Sequence, residues 1–326
     1  MKRMNLQEIY LNLKNDLELI EKTLTEAIQT SEQMLYDSSS HLLTAGGKRM
    51  RPVFVLLAGH FGRYDIERLT KVAVALELIH MATLVHDDVI DDADTRRGRR
   101  TVKAEWDNRV AMYTGDYIFA RALQKITECR PHEVQAILAT AINRMCLGEI
   151  DQMADLFSES LSFRRYLRRI KRKTALLMAA SCYLGAYVSG AEPRYIRSLQ
   201  AYGYYVGMAF QLTDDVLDFV GNEKVLGKPA GSDLRQGNVT LPVIYALAKA
   251  GTSDKQKITD YLRSGGGEGN LPAILDLIKR LGGIEYTLDL SRRYMKKAMQ
   301  CLSLLPESHE RESLRLIGEF IVSRSY

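Results

Sequence analysis

The sequence has little of several things, and each shortage closes off a class of function. Cysteine is scarce: Cys129, Cys146, Cys182 and Cys301 are the four, and none stands at metal-ligand spacing. Three of them lie in apolar helical contexts, so buried, reduced thiols and a reducing cytoplasm are expected. No apolar run is read as long enough to span a membrane. The opening MKRMNLQEIYLNLKND turns polar too soon for a signal peptide, so none is expected. There is no Walker phosphate loop, because the Gly47-Lys48 pair lacks the upstream glycine and the following Ser or Thr. No Ser/His/Asp or Cys/His constellation stands out. Runs alternating at period two are few, so almost no sheet is expected. Nothing resembling a linker divides the 326 residues, so a single all-α domain over 1–326 is expected. Nor does one sign of charge dominate. Charged residues make up 26% of the chain, and the net charge of +5 could favour anionic substrates or an anionic membrane surface without implying nucleic acid.

What is present is carboxylate, placed in pattern. Leu84 to Gly98 reads LVHDDVIDDADTRRG, with Asp87, Asp88, Asp91, Asp92 and Asp94 inside eight residues. On a helix, Asp87, Asp91 and Asp94 stand at i, i+4 and i+7 and share a face. Like charges so placed repel, so something positive should cover that face. All-oxygen ligation suits a hard cation such as Mg²⁺, which keeps waters and bridges to phosphate oxygens. An acidic, solvated helix end is the plainer alternative. A second stretch, FQLTDDVLDF, repeats the spacing with Asp214, Asp215 and Asp218, again after an apolar helical run. Two such sets could face each other across a helical bundle and hold several Mg²⁺ ions with a diphosphate between them.

Helical periodicity covers most of the remaining chain: Asn5 to Thr30, Ser31 to Thr44, Glu67 to Asp92, Lys103 to Glu128, Pro131 to Asp155, Phe163 to Val188 and Pro193 to Val220. Gly46-Gly47 is a helix stop. It opens the motif GGKRMRP, where Lys48, Arg49 and Arg51 form either a solvated turn or a cationic clamp for phosphate. The basic stretch FRRYLRRIKRKTALLM has too little aromatic interleaving for a nucleic-acid patch. It reads as a solvated helix face with Lys173 and Thr174 turning inward. Glu149 and Gln152 are either satisfied core polars or supports for a site. His80 is either a ligand or a core histidine on an apolar helix. The Gly- and charge-rich segment from Gly221 to Leu241 could close over a bound anion. GGGEGN, Gly265 to Asn270, reads as a flexible connector.

Together, GGKRMRP, DDVIDD with RRG, QLTDDVLDF and GKPAGSD resemble the trans-type polyprenyl diphosphate synthases over nearly the whole chain. The resemblance implies an all-α isoprenoid-synthase-type helical bundle around a deep central cavity. It implies Mg²⁺ held on an allylic diphosphate by Asp87, Asp88, Asp91, Asp214, Asp215 and Asp218. Arg96, Lys173, Thr174, Gln211 and Lys228 would contact that diphosphate, and Lys48, Arg51, His80 and Arg97 the diphosphate of isopentenyl diphosphate. Mg²⁺-assisted ionisation, condensation and deprotonation need no dedicated protein base. One departure from the family pattern is Asn238 after Gly237, where the family often has Lys. The segments LIHMATLVHDDVIDDADTRRG and RVAMYTGDYIFARAL further resemble the larger, catalytic subunit of two-component hexaprenyl or heptaprenyl diphosphate synthases. That implies a small partner subunit, with a homodimer as the alternative. It also implies a product serving the menaquinone side chain, and a cytoplasmic chain that could sit peripherally at the membrane receiving that product.

Product length is legible on the helix itself. A chain growing from a diphosphate held at Asp87 must run back along the helix, whose turns rise about 5.4 Å, roughly one extended isoprene unit. No aromatic lies between Val72 and Asp87. Ala82 and Thr83 leave the gate one turn back open, and Ile79 lies beyond them. The floor of such a tunnel would come from elsewhere, near Met145. Ala82 as a close-packing site between helices is the alternative. Two other functions stay open: a class I terpene cyclase, against which Lys48, Arg51 and Arg97 argue, and a non-catalytic partner subunit, which would be expected to have lost one acidic cluster.

Overall fold

The computed structural model describes residues 6–96, 98–220, 230–266 and 270–323. These residues are almost wholly helical, in accord with the all-α expectation. The only sheet among them is a two-residue antiparallel hairpin, β1 (Thr95–Arg96) with β2 (Arg99–Arg100). The helices fall into two compact units built from interleaved stretches.

The first unit takes residues 1–142, 177–203 and 301–317. It contains α1 (Leu6–Asn12), α2 (Lys14–Ala27), α3 (Gln33–Thr44), α4 (Met50–Gly59), α5 (Ile66–Ile90), α6 (Val102–Glu105) and α7 (Asn108–Glu128). It also takes the first part of α8 (Glu133–Ala154), most of α10 (Leu176–Val188) and the start of α11 (Pro193–Val220). Helix α5 is its axis and packs against α7, α4 and α2. Asp65 starts it by accepting from the amides of Glu67 (3.1 Å) and Arg68 (3.3 Å), which otherwise lack partners. Leu69, Val72, Leu76, Leu78 and Val85 are among its fully buried side chains. Each such Leu or Val contributes about 1.5–3 kcal/mol relative to exposure. Close approach to α5 needs Gly115 of α7, because a Cβ there would lie 2.3 Å from His86 Nε2. Helix α5 is long and apolar enough to cross a membrane by length and composition, contrary to the expectation that no run has that length. Its few interior polar residues do not outweigh the apolar average, and 72% of the apolar window is buried within the protein, as in a core helix.

The second unit takes residues 143–176, 204–300 and 318–326. It holds the end of α8, α9 (Phe163–Ile170), a π-helical segment (Lys171–Ala175) and the greater part of α11. The shorter helices α12 (Ser232–Arg235), α13 (Leu241–Lys249), α14 (Thr252–Arg263) and α15 (Leu271–Arg280) follow, then most of α16 (Gly283–Leu302) and the end of α17 (His309–Val322). Tyr166, Ile170, Met208, Leu212, Val216, Phe219, Val243 and Ile278 form its core with their neighbours. Tyr245 stacks on Tyr286 at 4.2 Å.

Three long helices expected from periodicity are interrupted. Asn5 to Thr30 divides at Leu13. Lys103 to Glu128 divides at Trp106-Asp107, where Asp107 accepts from the Val110 amide (2.8 Å) and caps α7. Phe163 to Val188 contains the π segment. Of the expected connector and closing loop, residues 267–269 and 221–229 lie outside the described residues.

Candidate active site

The first acidic motif sits where α5 stops. Asp91 donates its amide to the Asp87 carbonyl (2.8 Å), closing the last turn. Asp92 then takes a left-handed conformation with φ of 50°. Its amide reaches the Val89 carbonyl (3.4 Å), and the Ala93 amide reaches the Asp88 carbonyl (2.9 Å). This is the Schellman arrangement, with Asp in the place glycine usually fills. The expectation that Asp94 continues the helical face is therefore corrected: the helix has ended before it. Asp92 and Asp94 are exposed and pair with Lys103.

Asp87, Asp88 and Asp91 remain at the end of α5. Asp88 is 2% exposed and accepts from Arg96 Nε at 2.6 Å, because the β1–β2 hairpin folds Arg96 back onto the helix. Burial pushes the Asp88 carboxyl above the ordinary range, Arg96 opposes that, and Asp87 and Asp91 add to it. The other candidates on α5 are ordered along the same helix. His80 is half-buried, and its carbonyl accepts from the Thr83 hydroxyl at 2.8 Å. Ala82 and Ile79 are each 1% exposed. Lys48 is exposed and Arg51 half-buried, on either side of the start of α4. Amides at a helix N-terminus favour an anion, and the two cations add to that preference. Arg97 lies outside the described residues.

The second acidic motif lies within α11, which runs on to Val220. Asp214 is exposed, while Asp215 and Asp218 are buried. Asp215 accepts from the Tyr166 hydroxyl and from Gln211 Nε2 (2.9 Å), and Gln211 Oε1 accepts from the Thr174 hydroxyl (2.7 Å). Thr174, Gln211, Asp215 and Tyr166 thus form one chain of hydrogen bonds. Burial pushes the Asp215 carboxyl up to about 7 despite the bonds from Tyr166 and Gln211, which oppose the shift. Asp218 accepts from the Asp233 amide (3.1 Å) through its side chain and from the Gly231 amide (2.6 Å) through its carbonyl. Lys173 pairs with Glu149 at 3.0 Å, so Glu149 is a satisfied, half-buried charge beside a candidate site residue. The neighbouring Arg172 pairs with Asp151 at 2.5 Å. Lys173 and Thr174 both belong to the π segment, whose wider turn marks many functional sites. Helix α8 can lie against that segment because residue 148 is glycine: a Cβ there would stand 2.8 Å from Arg172 Cβ. Lys228 lies outside the described residues. Asn238 donates its amide to the Asp233 carbonyl at 2.8 Å, so it shapes the turn after α12.

The six motif carboxylates offer only oxygen, the donor set hard cations take. Among the described residues, no three acidic, His or Cys side chains are gathered closely enough to hold a metal ion by themselves. All-oxygen donors of this kind suit a hard cation that completes its coordination with water and with phosphate oxygens, as Mg²⁺ commonly does. Tyr166 and Asp233 were not legible as site residues. Tyr166 falls at an apolar position of a basic helix, and Asp233 acts through its backbone.

A family model described as polyprenyl synthetase matches residues 32–278. A heptaprenyl diphosphate synthase component 2 from Geobacillus stearothermophilus is 51% identical over 99% of this chain and 100% of its own length. The crystal structure of heptaprenyl diphosphate synthase from Staphylococcus aureus is 38% identical, covers 99% of both chains and superposes with a TM-score of 0.89. A polyprenyl synthase from Caulobacter crescentus, crystallised with calcium and isoprenyl diphosphate, is 33% identical over 99% of both chains with a TM-score of 0.93.

Proposed function

The chain belongs to the polyprenyl synthetase family and is a trans-prenyltransferase that makes a polyprenyl diphosphate, and from that premise we propose that its product is heptaprenyl diphosphate. The observation that carries this reading is the end-to-end similarity to a heptaprenyl diphosphate synthase component 2. The absence of any aromatic between Val72 and Asp87 agrees with a long product. The allylic starter is farnesyl diphosphate, and each added unit comes from isopentenyl diphosphate.

In this reading Asp87, Asp88, Asp91, Asp214, Asp215 and Asp218 hold Mg²⁺ against the allylic diphosphate. Bound Mg²⁺ supplies the charge neutralisation that lets diphosphate depart. Arg96, Lys173, Thr174, Gln211 and Lys228 orient the same group and take up charge as the carbon–oxygen bond breaks. Lys48, Arg51, His80 and Arg97 hold the second diphosphate, so the double bond of isopentenyl diphosphate meets the allylic carbon. A carbon–carbon bond forms, and the proton released goes to the departed diphosphate. Arg96 now bonds Asp88, and Gln211 now bridges Thr174 and Asp215; each is a preformed contact that a diphosphate oxygen can share or replace. Ile79, Ala82 and Thr83 line the path of the growing chain. Asn238 supplies no charge where the family often has lysine, so Lys173 and Lys228 carry more of that work. The chain acts in the cytoplasm with a small partner subunit and delivers its product to the membrane.

The test is incubation of the purified chain with farnesyl diphosphate, isopentenyl diphosphate and Mg²⁺, with and without the small subunit encoded by the same organism. Heptaprenyl diphosphate is expected with both subunits and little product from the chain alone. Robust long-chain synthesis by the chain alone removes the partner from the reading, and a product no longer than geranylgeranyl diphosphate removes the chain length.

A further inference from the structure

Arg49 is the one cation of the GGKRMRP motif that the proposed site leaves without a role, and its setting is unusual. It immediately precedes α4, with φ of 43° and ψ of 40°. A non-glycine side chain is strained in that left-handed region and persists there only where its surroundings hold it. The surroundings do. The Arg49 side chain is only 10% exposed. Its guanidinium donates to both carboxylate oxygens of Glu21 on α2, at 2.5 and 3.2 Å. It donates also to Glu77 Oε1 on α5 at 3.2 Å and to the Leu43 carbonyl of α3 at 3.0 Å. A second tie reaches the same turn from α1, where the Tyr10 hydroxyl donates to the Lys48 carbonyl. Thus α1, α2, α3 and α5 all fasten one short turn.

What that turn carries explains why it is fastened. Lys48 precedes Arg49, and Arg51 follows two residues later. Glu77, itself only 3% exposed, lies three residues before His80 on the same helix. Residues so spaced are neighbours on a helix surface. The Arg49–Glu77 bond therefore joins the turn bearing Lys48 and Arg51 to the turn of α5 bearing His80. Two cations and an imidazole from two separate elements are given one register by one guanidinium. A planar fork that donates to several acceptors at once suits this task, and lysine would not reproduce it.

We infer that Arg49 is the positioning residue of the isopentenyl diphosphate site: its bonds to Glu21 and Glu77 fix the left-handed turn and so set Lys48, Arg51 and His80 at the separation one diphosphate requires. This rests on the reading that those three residues bind that diphosphate.

Removing Arg49 alone would strand the buried Glu77 carboxylate and destabilise the protein for an unrelated reason. The informative variant is R49M/E77L, which removes both buried charges and keeps apolar volume. With the partner subunit present, its KM for isopentenyl diphosphate is expected to rise about tenfold, as for displacement of supporting groups around a ligand site. Its KM for the allylic diphosphate and its melting temperature should stay near wild type. K48A serves as the reference. A wild-type KM in R49M/E77L alongside a raised KM in K48A overturns the inference and leaves the site reading intact. An unchanged KM in K48A overturns the site reading, and the inference falls with it. Should the double variant not fold, R49K decides: it keeps the charge and loses the fork, and the same KM must rise about threefold. No rise overturns the inference.

Discussion

The two acidic motifs share their spacing and differ in almost everything around it. Asp87, Asp88 and Asp91 stand where α5 ends, and the buried member, Asp88, is matched by a full positive charge from Arg96. Asp214, Asp215 and Asp218 stand inside α11, and among the described residues the buried Asp215 accepts from neutral donors, Tyr166 and Gln211. In the first cluster the fold supplies a cation to the buried carboxylate. In the second, the buried Asp215 is held in shape by hydrogen bonds from neutral groups. Identical spacing thus specifies where carboxylates stand and not what balances them. The balance sets how each cluster behaves before substrate arrives.

The largest effect breaks both halves alike. D87A and D214A are each expected to lower turnover about a thousandfold, the loss typical of removing a group that stabilises charge in the transition state. The fold should survive, because each change relieves like-charge repulsion on a helix. Circular dichroism with steady-state rates at ordinary Mg²⁺ checks this. Near-native turnover in either variant would sink the role given to that cluster.

The helices that lead into the two motifs also differ, and A82F tests that difference. The run before Asp214 carries Tyr202, Tyr204, Tyr205 and Phe210, whereas the run back from Asp87 to Val72 carries no aromatic. If the product grows beside α5, A82F shortens it to about three or four units, since each turn rises about 5.4 Å. The first condensation should be retained. Ala82 is 1% exposed, so if it only packs between helices the Phe costs about 1–3 kcal/mol in overpacking and product length stays put. Product chromatography and a melting curve on one sample separate the outcomes.

Much of this was legible in the sequence, and the limits have physical causes. Helix content followed from apolar periodicity, and both Asp sets from their i, i+1, i+4 spacing. The end of α5 was legible to within two residues, Asp92 expected and Ile90 observed, but its left-handed cap was not, because Asp92 takes the position that glycine normally announces. The π segment was hidden because one extra residue in a turn barely disturbs the pattern over Phe163 to Val188. The partners Arg96–Asp88 and Tyr166–Asp215 could not be read from spacing: one depends on a hairpin folding back, the other joins residues 49 apart in the chain. Arg49 was visible as a cation, but the basic motif gave no sign that one of its three side chains turns inward to two glutamates.

The smallest effects sharpen the contrast between the two balances. R96M leaves Asp88 buried beside Asp87 and Asp91 with its cation gone. Breaking a buried pair from one side is expected to cost about 3 kcal/mol. Y166F removes one neutral donor from Asp215 and should cost about 1 kcal/mol, the scale of a single hydrogen bond. Denaturant unfolding of the metal-free protein measures both. Mg²⁺ should then act oppositely on the two variants. In R96M the unmatched carboxylate gains a substitute cation, so Mg²⁺ with inorganic diphosphate should restore much of the lost stability, by the linkage that favours the state binding ligand. In Y166F the carboxylate is less well oriented for that cation, so the Mg²⁺ concentration for half-maximal rate should rise about tenfold, as when a supporting bond to a metal ligand is lost. Equal stability losses, or equal responses to Mg²⁺, would show that the two clusters are balanced in the same way after all.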